Sequence, residues 1–144
     1  MRGDIEVYEE HVYTELVQNA LRSTLQSLSL TAASPRVLLT TVKNEPHGLG
    51  LLMAEICFAF EGATCTSLGV QTPVADIVLA ARQKAIDIVA LSFSAAYPWR
   101  HIREYLRELR ALLPTNIALW VGGSGVAGRA SVSGITLMDD LRAI

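Results

Sequence analysis

Within Glu45-Pro46-His47-Gly48-Leu49-Gly50, a carboxylate precedes an imidazole by two residues and glycines follow it. An imidazole binds a metal through one ring nitrogen while the other donates to a carboxylate, which fixes the tautomer and raises the basicity of the ligating atom. Glu45 is spaced to be that carboxylate and His47 that ligand, the alternative being a solvated loop histidine. One imidazole without a cysteine or a second histidine beside it does not hold zinc as a protein-only site. A metal bound by His47 must therefore arrive largely coordinated by something else, and a macrocycle with an open axial position, haem or corrin, meets that demand.

Two other short runs bear on the same chemistry. Ser92-Phe93-Ser94 offers hydroxyls that either bond a polar ligand tail or cap a loop, and Gly122-Gly123 either lets a long group lie along the backbone or simply makes a turn. Phosphate cradles are excluded: Gly122-Gly123-Ser124-Gly125 lacks the lysine and spacing of a P-loop, and no GxGxxG follows the first strand. No serine sits in a GxSxG elbow and neither cysteine has a histidine near it, so no catalytic residue is assigned. Glu10-His11 is the one further pair with chemistry in it, against the alternative of a solvated helix face.

These residues need elements to place them. The chain has 144 residues, 51% of them hydrophobic, which suits one globular domain with a short helical appendage. A net charge of −2 gives no basic surface for nucleic acid, no apolar run is long enough to span a membrane, and Met1-Arg2-Gly3-Asp4 opens no secretory signal. A cytoplasmic location follows as the expectation, with Cys57 and Cys65 as reduced core thiols.

Along residues 5–28 the apolar positions Ile5, Tyr8, Val12, Leu16, Ala20, Leu21, Leu25 and Leu28 recur at helical spacing. Residues 1–28 are thus read as a helical segment, the truncated remnant of a bundle, and 29–35 as a linker. From 36 to 144 strands at 37–42, 64–68, 86–93 and 117–121 alternate with helices at 49–60, 74–84, 99–112 and 136–143, with a short edge strand expected at 130–132. Continuous apolar strands between helices imply a parallel sheet covered on both faces. The expected fold is α/β, a flavodoxin-like doubly wound parallel sheet in the order 2-1-3-4-5. In that order the loops after strands one and three leave in opposite directions, opening a crevice where His47, the serines and the glycine pair converge.

Taken together, the three runs resemble cobalamin-binding domains, whose signature is Asp-x-His-x-x-Gly, then Ser-x-Leu, then Gly-Gly. Here they stand as Glu45 to Gly50, Ser92-Phe93-Ser94 and Gly122-Gly123, with glutamate for the usual aspartate and Ser94 where leucine is common. The wording of the first run and of Leu68-Gly69-Val70-Gln71-Thr72-Pro73 is similar to the C-terminal sensor half of MerR-type, CarH-like transcriptional regulators. The resemblance implies cobalamin bound base-off, with His47 as the lower cobalt ligand. Glu45, Pro46, Gly48, Leu49, Gly50, Thr72, Ser92, Ser94, Gly122 and Gly123 would lie around it. Glu10-His11 matches the pair that covers the upper face in that group. It further implies a light-responsive module for adenosylcobalamin, with methylcobalamin or hydroxocobalamin as alternatives. Its partners would be a fused or associated DNA-binding domain or further copies of itself, with no membrane and no direct contact of this chain with nucleic acid. The alternative is a corrinoid carrier or the small subunit of a methyltransferase or mutase.

Overall fold

The computed structural model describes residues 5–28 and 34–144. Five parallel strands stand in the order β2-β1-β3-β4-β5, as the alternation of elements predicts. They are β1 (Arg36–Thr40), β2 (Thr64–Ser67), β3 (Ile88–Ser92), β4 (Ala118–Gly122) and β5 (Thr136–Leu137). The helices are α1 (Val7–Ser27), α2 (Leu49–Phe60), α3 (Val74–Gln83) and α4 (Trp99–Leu112).

Side chains alternate across a strand, so a strand apolar at every position feeds two cores. Leu38, Val89 and Leu91 pack with Ile77 of α3 and with Ile102 and Leu106 of α4. Val37, Leu39, Ile88 and Ala90 pack with Leu51 and Phe58 of α2 on the other face. Within α4 the buried Ile102, Leu106 and Leu109 fall at helical spacing while Arg100, Arg103 and Arg107 face water. Pro73 and Pro98 stand at the N-caps of α3 and α4. There the missing N–H costs nothing, since the first helical donors have no intrahelical partner.

Two expectations are corrected. The fifth strand lies at Thr136–Leu137, not at 130–132, and there is no helix over 136–143 but a single 3-10 turn at Leu141–Ala143. The reason is edge pairing: β5 aligns with Trp120 and Val121, and the Met138 N–H donates to the Val121 carbonyl at 2.8 Å. The helix α1 packs on α2, with Val17, Leu21 and Leu25 half-buried and Ile5, Tyr8, Val12 and Leu16 of its apolar stripe more than half exposed. Residues 29–33 of the expected linker lie outside the described residues. Among the described residues no helix is long and apolar enough to cross a membrane.

Candidate functional site

The chain leaves β1 through a short, tightly bonded turn. The Glu45 N–H donates to the Val42 carbonyl, the Thr41 hydroxyl to the Glu45 carbonyl at 2.6 Å, and the Tyr97 hydroxyl to the Lys43 carbonyl. This turn carries the Glu45 side chain inward, where only 1% of it is exposed, while 61% of the His47 side chain faces solvent. Because β1 and β3 are neighbours, the start of the loop after β3 lies against the same carboxylate. The Ser94 N–H donates to Glu45 Oε2 at 2.8 Å and the Ser94 hydroxyl reaches Oε2 at 3.0 Å. Glu45 Oε1 lies 2.7 Å from His47 Nδ1 and accepts from the His47 N–H at 3.2 Å.

Burial opposes ionisation of Glu45, but the hydrogen bonds from Ser94 and His47 together outweigh it and hold the carboxyl below its ordinary range. An ionised carboxylate only accepts, so the ring nitrogen at 2.7 Å must carry a proton when the imidazole is neutral. His47 is then the Nδ1–H tautomer and Nε2 keeps its lone pair for a ligand. Among the described residues no group of three or more His, Cys, Asp and Glu can hold a metal ion. The arrangement therefore supplies one oriented nitrogen rather than a complete coordination shell.

The His47 loop borders two cavities. On one side Pro46 and Gly48 line a broad groove of about 480 Å³ with Gln18 and Arg22 of α1 and Glu55 of α2. Burial pushes the Glu55 carboxyl up. On the other side Gly50, Ser92 and Gly122-Gly123 line a chamber of about 140 Å³ under α2. Gly123 adopts φ +97°, and a Cβ there would lie 2.3 Å from the Phe93 carbonyl oxygen, so this loop fits against β3 only as glycine.

The fold thus gathers Glu45, His47 and Ser94 into direct contact and places Pro46, Gly48, Gly50, Ser92, Gly122 and Gly123 at the rims of the adjoining cavities. Leu49 opens α2 half-buried. Thr72 is bound to the scaffold, its hydroxyl 2.7 Å from that of the buried Thr40. Glu10 and His11 lie on the exposed N-terminal half of α1, their side chains without hydrogen bond or ion pair among the described residues. Sequence reasoning did not find the bond of Ser94 to Glu45, which joins residues 49 positions apart. Nor did it find Gln18, Arg22 and Glu55, which a helical wheel shows only as polar surface.

The family described as B12 binding domain matches residues 35–133. The HTH-type transcriptional repressor CarA of Myxococcus xanthus is 35% identical over 122 residues, 84% of this chain and 42% of its own length. CarH of the same organism is 30% identical over 130 residues, 90% of this chain and 43% of its own length. The chain spans less than half the length of these curated relatives. Among solved structures, the monomethylamine corrinoid protein of Methanosarcina barkeri superposes with a TM-score of 0.59 at 15% identity, over 90% of this chain and 60% of the other, and shares the fold.

Proposed function

Since this chain belongs to the B12-binding domain family, we propose that it holds cobalamin base-off with His47 Nε2 as the lower axial ligand of cobalt. The observation that carries the proposal is the Glu45–His47 bond at 2.7 Å, with the carboxylate buried and seated by Ser94. The residues present fit the group. A metal that brings four equatorial nitrogens of its own needs one more donor from below, and His47 is a single donor with its tautomer fixed by a buried carboxylate. Glu45 holds the Nδ1 proton, Ser94 holds Glu45, and the glycines at 48, 50, 122 and 123 leave the adjoining rims free of side chains.

The relatives named as transcriptional repressors support a sensor module of a regulator. In this reading adenosylcobalamin is the native form, which supplies a cobalt–carbon bond that visible light can break. Glu10 and His11, exposed on α1, are the side chains proposed to meet the upper side of the group. A separate DNA-binding domain would carry the response, because the net charge of −2 offers no basic face for nucleic acid.

The test is retention of hydroxocobalamin on gel filtration by wild type and by His47→Ala. Wild type is expected to co-elute with the cofactor and the variant to lose it; equal retention overturns the ligand assignment. Adenosylcobalamin-loaded protein is then illuminated with green light. A changed absorption spectrum together with changed assembly supports the sensor reading. An unchanged assembly, or methyl transfer to a thiol acceptor from methylcobalamin-loaded protein, contradicts it in favour of a carrier.

A further inference from the structure

A separate cavity lies along α4, on the face of the sheet opposite α2, and shares no lining residue with the two cavities beside His47. Its volume is about 340 Å³, within the range of small-molecule pockets, about 300–1,000 Å³. One wall is a stripe of α4 on which Trp99, Arg103 and Arg107 follow one another four residues apart. The other is the run Ala130 to Ser133 that precedes β5. Both ends of that run are set against the helix. Ahead of it the Arg129 guanidinium stands 5.5 Å from the centre of the Trp99 ring. Behind it Gly134 comes so close that a Cβ there would lie 3.2 Å from Arg110 Cδ, and Arg110 is anchored on the carbonyls of Ile117, Leu113 and Pro114.

The charge in this cavity is unbalanced. Arg100, on the neighbouring stripe, has Glu104 at 3.4 Å, and Arg110 is engaged by its three carbonyls. Arg103 and Arg107 have no hydrogen bond or ion pair among the described residues, and no carboxylate among those residues lines the cavity with them. Like charges four residues apart destabilise a helix, so the stripe costs the free protein stability that an anion shared by the two guanidiniums would restore. Ser131 and Ser133, on the facing wall, add two hydroxyl donors.

We propose that this cavity binds a small organic phosphate monoester, its phosphate held by Arg103 and Arg107 with Ser131 and Ser133, its carbon portion against Trp99 and Val132. Near neutral pH a phosphate monoester carries close to two negative charges and three strong acceptor oxygens. Guanidinium forks take such oxygens two at a time, so one phosphate satisfies both arginines. A carboxylate brings one charge and two oxygens and would leave one fork unmatched. The phosphate fills only part of the cavity, and half-buried Trp99 and Val132 give the rest of the ester an apolar surface to cover. Glu104 and Glu108 stand exposed on the flank of the same helix, which confines the positive field to the cavity instead of extending it into a track for a nucleic-acid backbone.

The experiment is calorimetric titration of the whole cofactor-free chain with phenyl phosphate, inorganic phosphate and benzoate, near neutral pH in a dilute chloride buffer. Phenyl phosphate is expected to bind one to one, at least about tenfold more tightly than either of the others. The double variant Arg103→Gln, Arg107→Gln is expected to lose at least about tenfold of that affinity. Both side chains are exposed and their removal relieves a like-charge pair, so the variant should melt no lower than wild type. If it does melt lower, Arg107→Lys, which keeps the charge and loses the fork, takes its place and should weaken phenyl phosphate by at least about threefold. Absence of saturable binding of phenyl phosphate, or equal affinity in wild type and variant, overturns the site. Equal affinity for inorganic phosphate or for benzoate overturns its assignment to a phosphate ester.

Discussion

Replacing Glu45 by glutamine changes one oxygen for an amino group in a side chain that is 1% exposed, and the consequences can be worked out bond by bond. The carboxylate accepts from the Ser94 N–H and hydroxyl through Oε2 and from the His47 N–H and Nδ1 through Oε1. Glutamine has one acceptor oxygen. If that oxygen faces Ser94, the amide NH₂ meets the two His47 donors. Relief requires Nδ1 to give up its proton, which moves it to Nε2, the nitrogen that must bind cobalt. If the oxygen faces His47, the NH₂ opposes the Ser94 N–H instead. Each orientation loses charge-assisted bonds, at a cost of about 2 kcal/mol in stability. For a domain of this size that is a fall of about 4–8 °C in Tm. Loss of the orienting partner is expected to weaken cofactor binding by about 10–100-fold. Thermal unfolding of the free protein and titration with hydroxocobalamin read the two effects separately. A variant that loses the stability yet binds the cofactor as wild type does would refute the tautomer reasoning, because Glu45 would then serve only the fold.

Other consequences are local to single residues. Gly123→Ala sets a Cβ 2.3 Å from the Phe93 carbonyl oxygen at φ +97°, and a loss of about 3 kcal/mol in urea unfolding is expected, against which a loss below about 1 kcal/mol would count. Arg110 donates to the carbonyls of Ile117, Leu113 and Pro114. Arg110→Ala should therefore cost about 1–3 kcal/mol in the same assay, and no change would mean that water replaces those bonds. Burial, helped by the Glu55 carboxylate, pushes the Cys65 thiol from about 9 to about 11. At pH 8 iodoacetamide should label it more slowly than a free thiol peptide. Between pH 9 and 11 the unfolded chain releases this proton before the folded one does, so wild-type stability should fall with rising pH there, and fall less in Cys65→Ala.

Strand order was legible because apolar runs and helical periodicity alternate strictly from Arg36 to Gly122, and α2 and α4 begin and end where their patterns do. Pattern failed where elements are short: two residues of β5 carry no period, and Thr136–Leu137 becomes a strand only because β4 offers a free edge. In α1 the helix itself was legible, but an apolar stripe states what can be buried without stating what is there to bury it. At the site, the pairing of Glu45 with His47 was legible from spacing. The role of Ser94 was not, because it depends on β1 lying beside β3, a fact of topology that no local motif contains.

The central claim is that a nitrogen of His47 replaces the nucleotide base beneath cobalt. Cobalamin in the cobalt(II) state reports its axial nitrogen directly through superhyperfine splitting in its EPR spectrum. Protein labelled with ¹⁵N only at histidine, loaded with unlabelled cofactor and reduced, should show the multiplicity of a ¹⁵N ligand, and His47→Ala should abolish it. A splitting that stays that of ¹⁴N in the labelled protein would mean that the base, not the protein, remains on the metal, and would contradict the account.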